Sequence, residues 1–261
     1  MNFLISLLLI GGGLVAIFYF RPKTQNNITE IKYMQTKTIS ELIDMFNQMD
    51  SNGLGNDYRE YVELKGVAES SKLFETPFSN RKVVYYNSKL SQVVEHREDY
   101  YDKDGRWQTR TSQSQDLISN EKSSQEISMK DGSSEEPVIL EINGIGCQLD
   151  IPKSYDRFVS KGNMNNYRCL SSFSYEKCGP QTLGFQMVEE TIDANQNLYV
   201  IGEAFRVGNT IHIGKPQDSK KPFIVSTKSE EDLINSSNQK AFFMLICGII
   251  AIVVGIFMIM K

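Results

Sequence analysis

Histidine is nearly missing from this chain: His96 and His212 are the only two among 261 residues. Acid–base chemistry near neutral pH and most zinc centres rely on that side chain. The two are far apart in sequence, and each sits in a strand-like run. Cysteine is scarce as well, with four in all and no two at C-x-x-C spacing, which argues against a zinc knuckle or a dithiol redox motif. There is no glycine-rich phosphate loop and no nucleophile elbow. Basic charge is not in excess: 28 Lys and Arg stand against 32 Asp and Glu, a net charge of −4. That balance offers nucleic acid no sequence-wide attraction. No cofactor, no metal site, no nucleic-acid partner and no defined enzyme class is therefore expected.

Apolar residues are concentrated at the two ends. Residues 3–20 carry no charge, and residues 241–260 carry no charged or strongly polar side chain. At 1.5 Å of rise per residue, the second run reaches about 30 Å, the thickness of a bilayer core. Lys240 and Lys261 flank it. The first run lacks the basic lead and small-residue exit of a cleaved signal peptide. Two transmembrane helices, a two-pass integral membrane protein and membrane lipid as a partner are expected. Arg21, Lys23, Lys32, Lys215, Lys220, Lys221, Lys228 and Lys240 lie inside the pair of runs, which by the positive-inside tendency favours a cytoplasmic middle region.

Between the runs, residues 23–52 read as a helical lead-in. Ile39, Leu42, Ile43, Phe46 and Met49 recur at helical spacing, Thr38 with Glu41 forms a capping-box pattern, and Asn52-Gly53 is a stop. From Tyr58 the period changes to two. Val62 and Leu64 share one face, Glu63 and Lys65 the other, and residues 83–96 form a long strand-like run. Asp104-Gly105 and Asn143-Gly144 are hairpin signals, and a short helix is expected near residues 155–160. The expected fold is mainly β: a compact antiparallel β-rich domain over residues 58–240 with short helices, flanked by the two transmembrane helices. Residues 108–136 are dominated by Ser, Gln, Glu, Asp and Lys. A segment that polar buries too little area to offset its ordering entropy, so a mobile insertion is expected there. Ser229 with Asp232 marks a helix start leading into the second run.

Glu189, Glu190 and Glu203 are the best cluster of carboxylates, and Glu95 with His96 ends a strand. Cys169 and Cys178 are close enough in sequence to form a disulfide in an oxidising compartment, or to remain two thiols.

Several runs resemble a known family. Tyr61-Val62-Glu63-Leu64-Lys65-Gly66-Val67 comes first, then Val84-Tyr85-Tyr86 leading to Val93-Val94-Glu95-His96. Leu198-Tyr199-Val200-Ile201-Gly202-Glu203-Ala204 and Lys221-Pro222-Phe223-Ile224-Val225-Ser226 follow. In this order and placement they are similar to the membrane-beside (GIDE) domain of mitochondrial membrane E3 ubiquitin ligases and their microbial relatives. The resemblance implies a middle domain on the non-cytosolic side, opposite to the charge count, so sidedness stays open. In the eukaryotic members a RING domain follows the second span. The sequence ends at Lys261 with no cysteine beyond Cys247, so a GIDE-like protein without the RING is expected.

The function expected is that of a membrane-anchored interaction or sensing module without catalytic activity, its partner an unknown membrane or membrane-proximal protein. A binding face would use Glu95, His96, Glu189, Glu190 and Glu203, where the resemblance and the carboxylate search meet. The alternatives are a component of a ubiquitin-like modification system with its catalytic module in trans, and a membrane hydrolase built on His96 and carboxylates.

Overall fold

A computed structural model describes residues 2–20, 22, 32, 34–53, 57–123, 126–144, 146–170 and 181–260. The chain divides into two units. The first comprises Met1–Val67, Met129–Asp150 and Asn197–Lys261, and the second Ala68–Ser128 and Ile151–Gln196.

In the first unit the strands are β1 (Thr36–Lys37), β2 (Arg59–Glu69), β7 (Ile127–Lys130), β8 (Val138–Leu140), β9 (Cys147–Asp150), β12 (Asn197–Val207), β13 (Thr210–Gly214) and β14 (Phe223–Ser226). β2, β7, β8, β13 and β12 pair in that order, and β12 pairs back onto β2, which closes a small barrel. Strand alternation does what the period-two pattern predicts: Val62, Leu64, Val200, Ala204 and Ile213 are buried at 0–1% exposure. Gly66 is needed because a Cβ there would run into the Lys130 carbonyl and the Met129 side chain. β7 thus approaches β2 more closely than an alanine would allow.

The sheet is not purely antiparallel. β1 pairs parallel with β2, β8 with β13, and β9 with β14. A parallel pair needs a long crossover, and the chain between β8 and β13 carries an entire segment of the second unit. The hairpin expected across Asn143-Gly144 is therefore absent: β8 and β9 each take another partner.

Helix α2 (Ile39–Ser51) follows its sequence signals closely. Thr38 accepts from the Glu41 amide, and Glu41 reaches back to the Thr38 amide. Ile39, Leu42 and Phe46 are buried. Asp131 and Ser133 accept from the first amides, those of Ile39 and Ser40.

At the ends of the chain lie α1 (Asn2–Val15), continued by a π turn over Ala16–Phe20, and α3 (Glu230–Met260). The two pack antiparallel. A Cβ on Gly13 would meet the Gly248 carbonyl at 2.7 Å, and one on Gly255 the Ser6 carbonyl at 3.0 Å. Small residues seven apart on each helix allow that approach. Among the described residues only α3, over Glu230–Ile259, is long and apolar enough to cross a membrane. The apolar helix of the first run covers Leu4–Phe20, its last five residues wound as a π-helix; at 1.5 Å per residue it reaches about 25 Å, short of a bilayer core of about 30 Å. This corrects both the fold expectation of two flanking transmembrane helices and the two-pass topology: the fold is mixed β/α, a barrel with helices, and one helix meets the requirement for spanning. Phe242, Phe243 and Phe257 on α3 are 63–68% exposed to their surroundings. Lipid is the medium that covers such a surface, and the protein is membrane-associated.

The second unit is a four-stranded sheet ordered β10 (Lys153–Ser160), β11 (Thr182–Ile192), β5 (Tyr85–Tyr101) and β6 (Trp107–Lys122), with a small ladder of β3 (Phe74–Glu75) and β4 (Lys82–Val83). Leu90, Val159, Met164, Leu170, Phe185 and Met187 form its core. Two expectations change here. Residues 153–160 are a strand, because pairing with β11 satisfies a backbone whose side chains mark no helical stripe. Residues 108–122, expected within a mobile insertion over 108–136, belong to the 16-residue strand β6. Its ladder with β5 runs from Tyr101↔Trp107 to Asn87↔Lys122, so backbone pairing orders a stretch that buries little. The Asp104-Gly105 turn closes this hairpin as expected, with Gly105 at φ +73° and Asp102 accepting from the amides of Asp104 and Arg106.

Candidate functional site

The side chains expected to form a binding face are not brought together. Glu189 is fully buried, accepting from the Phe78 amide at 2.7 Å and from the Ser79 hydroxyl, with Ser88 Oγ at 3.5 Å. Its neighbour Glu190, on the opposite sheet face, accepts from Asn87 at 2.7 Å and Lys89 at 3.2 Å. The ladder places Glu189 opposite Ser88. Glu95 and His96 therefore lie seven and eight residues farther along β5, over 20 Å away at about 3.3 Å per residue. Glu95 pairs with Arg97, and His96 Nε2 lies 2.9 Å from Ser114 Oγ. Glu203 belongs to the first unit, where it accepts from Arg59 at 3.0 Å and from the Gln217 amide at 3.2 Å. Cys169 Sγ sits 3.7 Å from Met187 Sδ, and burial pushes its thiol pKa up. Cys178 lies outside the described residues. No cluster of metal-ligating side chains occurs among the described residues.

A different site emerges on the outer face of the barrel. Antiparallel pairing sets Lys65 opposite Tyr199 and Glu63 opposite Ile201, so Glu63, Lys65, Tyr199 and Ile201 share that face. The sequence pattern places Glu63 on the solvent side, yet it is only 1% exposed. Tyr199 donates to it at 2.8 Å, Thr36 on β1 donates at 2.5 Å, and Lys65 Nζ lies 3.2 Å away. Lys65 also reaches Glu230, the first residue of α3, at 2.8 Å. A buried carboxylate needs this degree of pairing. Beside the polar network, Tyr199, Ile201 and Ile224 pack on Leu233 of α3. Ser229 caps that helix by accepting from the Asp232 amide at 3.1 Å.

Burial alone disfavours the Lys65 ammonium, but its hydrogen bonds to Glu230 and Glu63 outweigh it and hold the pKa above the ordinary 10.5. Burial raises the Tyr199 phenol far above its usual range, reinforced by its bond to Glu63. Both groups keep their protons at neutral pH. A charged lysine and a neutral phenol both present hydrogen-bond donors to an acceptor placed beside them.

Next to this network opens a groove of about 930 Å³, lined by Lys65, Lys130, Asp131, Asn197, Tyr199 and Glu230 among others. Its lining combines acids, lysines and apolar surface. In the sequence, alternation marks Glu63 and Lys65 as one face of a strand, while Tyr199 stands out only as a member of a family-like run. The one usable signal was two alternating strands, each with polar residues on the face opposite its core.

Comparison with known proteins gives one family. The profile of the GIDE family, described as E3 Ubiquitin ligase, matches residues 95–260. No curated protein and no solved structure shows a significant match to the chain.

Proposed function

The chain belongs to the GIDE family, and from that premise we propose that it is a membrane-anchored interaction module whose groove receives a protein segment next to the bilayer. One observation carries the reading: α3 runs unbroken from Glu230, a wall of the groove, to Met260 inside the apolar run. Ten residues separate Glu231 from Ala241, where the apolar run begins, about 15 Å at 1.5 Å per residue. A partner in the groove thus lies about 15 Å from the start of the apolar run, roughly twice the thickness of one headgroup layer. Lys65–Glu230 and the Leu233 contacts make the helix start part of the barrel wall, so anchor and groove form one piece. The lysine and phenol at the site, both protonated at neutral pH, support binding without covalent chemistry.

A photo-cross-linker at Asn197, an exposed groove residue, should give discrete adducts in membranes that vanish with Lys65→Glu. The same probe at the exposed Asn165 of the second unit should give none. Identical adducts at both positions would refute the proposal. The family description as an E3 ubiquitin ligase favours a second reading, a component of a ubiquitin-like modification system whose catalytic module acts in trans. Co-purification of a RING-bearing protein, lost on substitution in the groove, tests it.

A further inference from the structure

Among the described residues the four-stranded sheet of the second unit ends on β10 and β6, and the two edges are guarded unequally. β10 carries Lys153, a register shift between Lys153 and Tyr155, and a 3-10 turn over Lys161–Asn166 directly after it. Charge, bulges and abrupt endings are the usual means of keeping an edge from pairing with another chain. β6 ends the sheet on the other side, and almost all of its residues are exposed. Its stretch from residue 109 to 117 contains no lysine, no proline and no register shift. The one irregularity in this ladder, at Leu90/Ser91, makes Ile118 the extra residue, just beyond that stretch. Leu117 is 61% and Trp107 59% exposed.

The stretch is complementary to its own reversed copy. Antiparallel pairing centred on Gln113 sets Ser112 against Ser114, Thr111 against Gln115, Thr109 against Leu117 and Arg110 against Asp116. The two-fold axis makes the Arg–Asp pair twice, on one face of the joined sheet. Opposite charges and Thr or Ser pairs at directly facing positions are the favourable cross-strand combinations. Moving the axis one residue, onto Ser112 or Ser114, leaves no opposite charges face to face. Parallel in-register pairing would stack Arg110 on Arg110 and Asp116 on Asp116.

We propose that β6 pairs antiparallel with β6 of a second copy of this chain, about Gln113, giving a two-fold dimer with one continuous sheet. The shared bilayer favours it, because two anchored chains meet at a much higher effective concentration than free ones. This goes beyond the groove reading and does not depend on it.

Cysteine cross-linking of the full-length chain in its membrane tests the register, with the parent chain as background. Residues facing each other in an antiparallel pair have Cα atoms about 4.5–5.5 Å apart, within disulfide reach. Gln113→Cys should therefore form an oxidant-dependent dimer. Thr109→Cys alone should not, since its own copy lies eight residues along the strand, about 27 Å away. Thr109→Cys mixed with Leu117→Cys should cross-link. Arg110→Asp should lower the Gln113→Cys dimer by roughly tenfold, and adding Asp116→Arg should restore it. Equal yields for Gln113→Cys and Thr109→Cys, or no recovery with the charge swap, would overturn the proposal. So would an undimerised Gln113→Cys chain, the result expected if another protein's strand occupied the edge.

Discussion

Lys65 on β2 and Glu230 at the first turn of α3 meet at 2.8 Å, and the same ammonium lies 3.2 Å from the buried Glu63. One lysine thus joins a barrel strand to the start of the membrane helix while neutralising a carboxylate that water cannot reach.

Lys65→Met should destabilise the protein by about 1–2 kcal/mol. Breaking a buried pair costs more, but the lysine is partly solvated and part of its contribution is screened. Thermal unfolding in detergent reads the loss. Combined with Glu230→Gln, the double variant should lose less than the sum of the two single changes; strict additivity would show that the pair is not coupled.

Alkali should weaken the fold through Tyr199 and Lys65. Both folded-state pKa values are raised, so their contribution is complete below the unfolded values, near 10 and 10.4, and disappears as pH climbs beyond them. The melting temperature should hold to about pH 9 and decline above pH 10. Tyr199→Phe should cost ~1–2 kcal/mol at pH 7 by removing a donor from Glu63, and should flatten the alkaline decline. A Tyr199→Phe chain with the same pH profile as the parent would contradict this assignment.

Glu189 holds a turn, not a ligand. Glu189→Ala leaves the Phe78 amide and the Ser79 hydroxyl without their acceptor and should cost ~2–3 kcal/mol. Amide exchange should accelerate at residues 76–81. Groove cross-linking from Asn197 should persist in the molecules that remain folded.

Gly248→Val places a branched side chain against the Gly13 carbonyl and Ile17. Overpacking of this kind costs about 1–3 kcal/mol. The melting temperature should fall in detergent, while Gly11→Val, where a Cβ meets nothing within 4 Å, should leave it unchanged. Equal effects at both glycines would mean that the small residues do not set the helix–helix contact.

Much of the local structure was legible because it rests on neighbours in sequence. The Thr38–Glu41 capping box, the Ile39–Leu42–Phe46 stripe, the Gly105 turn and the Ser229 cap each need only a few adjacent residues. The failures share a cause. The polarity of β6 suggested disorder, but its order comes from the fifteen residues of β5, Asn87 to Tyr101, that pair alongside it. Residues 139–151 read as a hairpin, yet both strands found parallel partners some seventy residues later. The first apolar run looked long enough for a membrane, but its α-helix stops at Val15 and passes into a π turn.

The carboxylates chosen from sequence show the same limit. Glu95 with His96 and Glu189 with Glu190 are two adjacent pairs far apart in sequence; the ladder keeps them apart along the sheet, and each side chain is answered by a partner of its own. By contrast, Thr36, Glu63, Tyr199 and Glu230 come from four distant parts of the chain and converge.

The amino-acid order alone determined where the apolar anchor begins, which strand faces enter the core and how α2 starts, since periodicity and capping act over a few residues. Only the tertiary structure decided that Glu63 is buried, that Lys65 bridges barrel and helix, and that a groove lies at the base of α3. Register between strands more than a hundred residues apart determines which side chains meet, and a charge is stable away from water only where that register delivers its partners.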